Sequence, residues 1–189
     1  MRVGCWNVTS SVLVVCTANV CRSPLAARLL GAALEVPVTS AGSRARPGLP
    51  ACPASSPKVA HSSVRLEADQ VRSAALVLCA AREHRAAAVA LVPSAQTRSF
   101  TLLQAARLAG WLTAQGVTAP PGLAAAERLA WWVEELDAVR GDAPRGDAAD
   151  DDLPDPHDGG PRHVVVLPVL HAAVRTLTTT LAGPVVSRA

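Results

Sequence analysis

Tyrosine is absent from this 189-residue chain, phenylalanine and methionine occur once each, and Lys58 is the only lysine. Aromatic residues amount to 3% of the total, too few to line a basic surface with stacking platforms. The arginines are scattered and no recognition motif appears, so a nucleic-acid partner is not expected. No apolar run approaches the ~20 residues of a membrane span. The N-terminus shows no basic stretch, sustained apolar core or cleavage site of a signal peptide. Paired cysteine spacing is missing too: five cysteines in a chain of this length read as reduced thiols. A cytoplasmic location without membrane attachment is therefore expected. What is present is a chain that is 50% hydrophobic, long enough for one core that buries about 70% of the unfolded surface. The net charge of +3 is uneven, because residues 142–158 hold seven aspartates against one arginine. That contrast reads as solvated surface.

Val12 to Val15 is a short continuous apolar run, the mark of a strand covered on both faces. Strand 12–16 is followed by a helix over 23–34, opened by Pro24, and a strand over 36–40. After the Pro/Gly-rich stretch 44–57 come helix 66–74, strand 75–79, and helix 82–91, which ends before Pro93. Strand 97–101 and helix 102–115 follow. Val169, Leu170, Ala173, Val174 and Leu177 share one face of a last helix over 168–181. Strands alternating with helices predict an α/β fold with parallel pairing and right-handed crossovers. Leu129, Trp132, Val133, Leu136 and Val139 add an amphipathic helix within 123–140. Two readings stand for it: a helix that covers more core, which is favoured, or a lid whose Trp131 overhangs a site entrance.

Chemistry concentrates in Cys16-Thr17-Ala18-Asn19-Val20-Cys21-Arg22-Ser23. This segment joins the end of the first strand to the start of the first helix, where backbone N–H groups and the helix dipole favour an oxyanion. Cysteines in such places ionise readily, and an arginine fork grips two phosphate oxygens. Attack of a thiolate on phosphorus suits these residues. The bland alternative is a buried cysteine ending a core strand, with Arg22 and Ser23 merely beginning a helix.

The string VLVVCTANVCRSP, residues 12–24, resembles the phosphate-binding loop of the low-molecular-weight protein tyrosine phosphatases. Asp155-Pro156, in DLPDPHDGGP, resembles that family's downstream general acid. Weaker likenesses are Ser40-Ala41-Gly42-Ser43, Leu76 to Cys79 with Arg82 to Arg85, and Ser99 to Leu102. The resemblance covers roughly residues 12–102 and 150–181. It implies a three-layer, doubly wound, four-stranded parallel sheet in flavodoxin-like order, within one domain over 1–189. Residues 103–150 would be a helical insertion and acidic linker before the acid loop.

By the same resemblance Cys16 is the nucleophile that forms a phosphocysteine, Arg22 stabilises the phosphoryl oxygens, and Asp155 is the proton donor. Asp152 and Asp158 are its understudies. Thr17, Ala18, Asn19, Val20 and Cys21 would bind the substrate phosphate, Ser23 would support the sulfur, and His157 would stand at the entrance. Asn19 holds the loop's shape or simply tolerates a left-handed turn, and the two are compatible. Cys21 reads equally as a resolving thiol for an oxidised Cys16 or as a small packed residue. Cys79 reads as core, and Cys5 and Cys52 have no evident chemistry. No cofactor or metal is implied: the histidines lack ligand spacing, and His84 reads as a surface helix residue.

The expected partner is a phosphorylated protein carrying phosphotyrosine, or a small phosphomonoester. The family's usual entrance aromatics are missing. His157 follows Asp-Pro where an aromatic is common, and Arg44-Ala45-Arg46 occupy another such stretch. Either His157 and the Trp131-Trp132 pair replace those walls, or the substrate is not phosphotyrosine. A small-molecule phosphatase, an arsenate reductase on the same fold and an idle phospho-ligand binding module are the alternatives to a tyrosine phosphatase. Oligomeric state is left open.

Overall fold

The computed structural model describes residues 10–55, 60–144, 147–157, 159 and 162–182. Four strands, β1 (Val12–Cys16), β2 (Val38–Gly42), β3 (Leu76–Cys79) and β4 (Ser99–Thr101), form one sheet in the order β2-β1-β3-β4. Every pairing is parallel. The six helices are α1 (Arg22–Gly31), α2 (Ala68–Ser73), α3 (Arg82–Leu91), α4 (Leu102–Ala114), α5 (Ala125–Ala138) and α6 (His163–Ala182).

Side chains alternate across the strands, and the alternation sorts the core into two clusters. Val12, Val14, Leu76, Leu78 and Phe100 face α1, α4, α5 and α6. Leu13, Val15, Val77 and Cys79 face the layer holding Val71 of α2 and Ala88 of α3. This is the doubly wound α/β architecture expected, with β1, β3 and β4 buried along their whole length and the edge strand β2 exposed at Thr39. Right-handed crossovers bring the loops after β1, β2 and β3 to one end, on either side of the place where the chain reverses its winding.

Helix α2, strand β3 and helix α4 depart from expectation by one or two residues at an end, and four other differences have a clearer physical reading. Strand β2 lies two residues further along than 36–40, because Pro37 has no N–H to give the ladder and contributes only its carbonyl, to the Val12 N–H at 2.9 Å. Helix α1 stops at Gly31, three residues short of expectation. Residues 93–98 form a 3₁₀ segment with Pro93 near its start, which shortens β4 to three residues. Helix α6 begins at His163, with Pro168 inside it instead of opening it. The carbonyl that Pro168 cannot bond belongs to Val164, a residue 76% exposed, so the missing bond falls on the solvent side of the helix.

Helix α6 spans 20 residues at a mean hydropathy of 1.5 over its apolar window, a more apolar stretch than the sequence reading allowed for. Its Val166, Leu170, Ala173, Val174, Leu177 and Leu181 are buried in the cluster shared with α1 and α4. Helix α5 buries Leu129, Trp132, Val133 and Leu136 in the same cluster, and Trp131 is packed partly against it. Trp131 and Trp132 meet edge to face with ring centroids 4.8 Å apart. The indoles therefore extend the core. That packing favours the reading of α5 as a helix that covers more core.

Candidate active site

Cys16 is the last residue of β1 and is 2% exposed. The next five residues curl around the end of the strand before Arg22 begins α1. Four carbonyls of this curl face outward and are bonded there. Those of Cys16 and Thr17 accept from the N–H groups of Ser43 and Arg44 at 2.9 Å each. That of Asn19 accepts from His61 Nε2 at 2.7 Å, and that of Val20 from the Cys52 N–H at 2.7 Å. A trans peptide sets its N–H opposite its carbonyl, so the N–H groups of Thr17, Ala18, Val20 and Cys21 turn inward. The result is a nest suited to a tetrahedral anion.

Asn19 holds the curl from within. It adopts φ 53°, the left-handed region that asparagine tolerates better than most residues. It is fully buried. Its Nδ2 donates to Ser23 Oγ at 2.9 Å and to Ser40 Oγ at 2.8 Å, and its Oδ1 accepts from the Val64 N–H at 2.8 Å. Both readings of Asn19 hold together. Gly42, ending β2, lies against the same turn: a Cβ there would sit 2.6 Å from the Thr17 carbonyl oxygen and 2.7 Å from the Asn19 nitrogen. The loop's shape thus depends on a neighbour without a side chain.

Ser23 Oγ lies 3.0 Å from Cys16 Sγ. Ser23 accepts from Asn19, and its own proton has two acceptors in reach, the Cys16 sulfur at 3.0 Å and the Ala41 carbonyl at 3.4 Å. Arg22, 5% exposed at its side chain, donates through Nη1 to the Leu153 carbonyl at 2.9 Å. Its Nη2 donates to Thr17 Oγ1 at 3.2 Å and to Asp155 Oδ2. Asp155 Oδ1 accepts from the His157 N–H at 3.0 Å, a short turn that fixes the carboxyl's direction.

The segment carrying Asp155 is tied down by arginines. Arg82 grips Asp152 through its backbone N–H at 2.7 Å, Nε at 3.0 Å and Nη2 at 2.8 Å. Burial works to raise the Asp152 pKa but is outweighed by these Arg82 bonds, which hold it below the usual range. Arg107 takes both oxygens of Asp151, and the Leu153 N–H donates to the Ala80 carbonyl at 2.8 Å. Asp152 is therefore committed to Arg82, while Asp155 faces the loop. Asp158 lies outside the described residues, as does Cys5. Within the acidic stretch Asp151, Asp152 and Asp155 dock on Arg107, Arg82 and Arg22, while Asp142, Asp147 and Asp150 stay exposed, as the solvated-surface reading expects. The more exposed Arg82–Asp152 and Arg107–Asp151 pairs contribute little stability, about 0–1 kcal/mol each, but their two-pronged geometry sets where the loop sits.

His84 corrects an expectation. It is fully buried, because it shares the inner face of α3 with Ala88, one turn on. Its Nε2 lies 2.9 Å from Thr17 Oγ1 and 3.3 Å from a Glu83 oxygen, which assigns the proton to Nε2. Burial first, then the charge of Arg22, lowers its pKa to about 4, against partial opposition from Glu83 and Asp155. The unfolded chain, with an ordinary imidazole, takes up this proton near pH 6.5. Stability from this group is thus complete above about pH 6.5 and is lost as pH falls toward 4, by roughly 2–3 kcal/mol in all. In urea unfolding at neutral pH and at about pH 5, His84→Gln should show a smaller acid-side loss than wild type. Equal losses in the two proteins would assign the pH dependence elsewhere.

Cys79 is a core residue of β3, as expected, its thiol pushed up to about 12 by burial. Cys21 is 4% exposed, and its thiol is raised to about 11, first by burial, with Cys52 acting on it more than Cys16 does. Its sulfur belongs to a group the sequence reading did not assemble. Cys21, Cys52, His157 and His163 place one ligand-type atom each within 4.8 Å of all the others. His157 and His163 are separated by five residues, a spacing that was there to be noticed. His61, on the Asn19 carbonyl, carried no such signal.

Every residue expected at the site from Cys16 to Ser23, with Asp155 and His157, thus gathers at one end of the sheet. Residues 11–104 match the family model described as low molecular weight phosphotyrosine protein phosphatase. The chain is 37% identical to the low molecular weight protein-tyrosine-phosphatase Etp of Escherichia coli K12 over 103 residues, 50% of this chain and 68% of Etp. Its fold is similar to that of the tyrosine phosphatase Wzb from Escherichia coli K30, solved with phosphate. The TM-score is 0.61 at 18% identity, covering 93% of this chain and 94% of Wzb. A strand-loop-helix nest around a cysteine, an arginine at its sixth following position, and this relationship agree: the chain belongs to the low molecular weight phosphotyrosine protein phosphatase family.

Proposed function

We propose that the chain hydrolyses phosphomonoesters through a phosphocysteine on Cys16, with phosphotyrosine in proteins as the substrate. The observation that carries this is the convergence on one nest of Cys16 Sγ, the Arg22 fork and the Asp155 carboxyl. In the first step the sulfur attacks phosphorus, the P–O bond to the leaving group breaks, and a P–S bond forms. The inward N–H groups of Thr17, Ala18, Val20 and Cys21 and the Arg22 fork hold the equatorial oxygens as charge shifts onto the leaving oxygen. Asp155 gives that oxygen a proton. As a carboxylate it then takes one from the water that cleaves the P–S bond and frees phosphate. An incoming phosphate competes with Asp155 for Arg22 Nη2, so substrate binding itself frees the acid for its task. Ser23 supports the sulfur as nucleophile and as leaving group.

The same reading takes residues 1–189 as one phosphatase-like domain, with 103–150 as its helical addition. In support, α4 and α5 contribute to the same core cluster as β1 and α1. An idle binding module has no use for both a nucleophile and an acid. An arsenate reductase has no role for Asp155, and its electron relay is poorly served by Cys79, buried in β3.

Asp155→Asn is expected to slow hydrolysis of esters with poor leaving groups by roughly 10²-fold, and of activated aryl esters much less. Equal losses on both would remove Asp155 from the role of proton donor. Phosphotyrosine peptides should be hydrolysed with higher kcat/KM than phosphorylated sugars. The reverse order would transfer the assignment to small phosphomonoesters, in keeping with an entrance that has Arg44 and His157 where its relatives have aromatics.

A further inference from the structure

We infer that Cys21, Cys52, His157 and His163 form a zinc site that clamps the acid loop to the phosphate loop. The four come from separate segments: the turn into α1, the loop after β2, the stretch following Asp155, and the first residue of α6. Two thiols and two imidazoles are the donor set that Zn²⁺ prefers in tetrahedral sites. Bond lengths of ~2.3 Å to sulfur and ~2.0–2.1 Å to nitrogen place ligand atoms roughly 3.3–3.8 Å apart in such a tetrahedron. Here all four lie within 4.8 Å of one another, and Cys52 Sγ is already 3.4 Å from His163 Nε2. Closure asks for side-chain shifts of about an ångström or less at each ligand.

The surroundings are built. Both cysteines are buried, Cys52 at 7% exposure. The Cys52 backbone is fastened on both sides, its N–H to the Val20 carbonyl at 2.7 Å and its carbonyl to Ser55 Oγ at 3.0 Å. The two imidazoles stand edge to face, with centroids 4.7 Å apart.

With four protein ligands the ion has no open position for water, so it is structural and takes no part in the phosphoryl step. Its effect is positional. Cys21 lies in the phosphate loop, and the His157 N–H is bonded to Asp155. One ion on Cys21 and His157 therefore fixes the distance between the nucleophile's loop and the acid.

The full chain, purified without chelator and dialysed against zinc-free buffer, should carry one zinc per chain by elemental analysis. Substitution with Co²⁺ should give the intense visible bands of tetrahedral cobalt together with thiolate charge transfer. Removing the zinc should lower Tm, and restoring free Zn²⁺ to about a hundred times Kd should raise it by roughly 5–10 °C. Cys52→Ser and His163→Gln, which leave the phosphate loop's own groups in place, should each lose the metal and this Tm response. Cys16→Ser should keep both. Protein that stays substoichiometric in zinc after reduction and reconstitution overturns the proposal. So does zinc retained in both ligand variants, and so does zinc lost in Cys16→Ser alone, which would place it on the nucleophile.

Discussion

Cys16→Ser is expected to abolish turnover of an aryl phosphate, by a factor on the order of 10⁴ or more, with Tm changed by no more than a few degrees. The sulfur sits at 2% exposure in a nest whose shape is set by Asn19, Gly42 and outward carbonyl bonds. An oxygen in its place disturbs none of these. What is lost is nucleophilicity. Among the described residues, Ser23 is the only side chain hydrogen-bonded to Cys16 Sγ, and a hydroxyl cannot serve as the base a serine nucleophile needs. Turnover near wild type would sink the phosphocysteine mechanism. A fall in Tm of many degrees would instead attribute the loss to unfolding.

Arg22→Lys should cost about 10³-fold in kcat/KM, although the charge is kept. Arg22 serves two structures at once. Nη1 holds the acid loop through the Leu153 carbonyl, and Nη2 reaches Thr17 and Asp155. An ammonium group is a point charge without a fork, so it cannot grip two phosphate oxygens while keeping both loops in register. Inorganic phosphate, the product, should inhibit the variant much more weakly. Arg22 and Asp155 touch, so their losses should not add. The double variant with Asp155→Asn should be far less impaired than the product of the two single effects. A loss below tenfold in Arg22→Lys, or full additivity in the double variant, would separate Arg22 from the acid and from the phosphoryl oxygens.

The legible parts of this protein are those whose physics is local. Val12 to Val15 could only be a strand covered on both faces, and a cysteine followed by a helix start sets a loop at that strand's end. Period-3.6 stripes in α5 and α6 found most of their buried residues, but Val169, read onto the inner face of α6, is 43% exposed, and Val139, past the end of α5, is only partly buried. Boundaries failed where a proline has two uses. Pro37 kept the ladder from starting earlier, whereas Pro168 sits within a helix because the bond it removes falls on the solvent side. Trp132 was legible as core from its place on the α5 stripe, but the packing of Trp131 was not, since an amphipathic pattern does not say what covers a residue beside the stripe.

Asp155-Pro156 stood out only through a family resemblance, whereas the alternation of strands and helices and the strand-to-helix loop at the end of β1 were determined by the sequence itself. Both of these follow from residue types at fixed short separation, where chain stiffness decides geometry. Tertiary structure decided the rest. His84 is buried beneath Thr17 only because α3 turns that face to the sheet, and Asp152 gives way to Asp155 only because Arg82 lies within its reach. Cys21, Cys52, His157 and His163 meet only once the crossovers bring four loops to one end of the sheet. Contacts between residues more than a hundred positions apart are set by how helices and sheet share a core, and no local pattern encodes that.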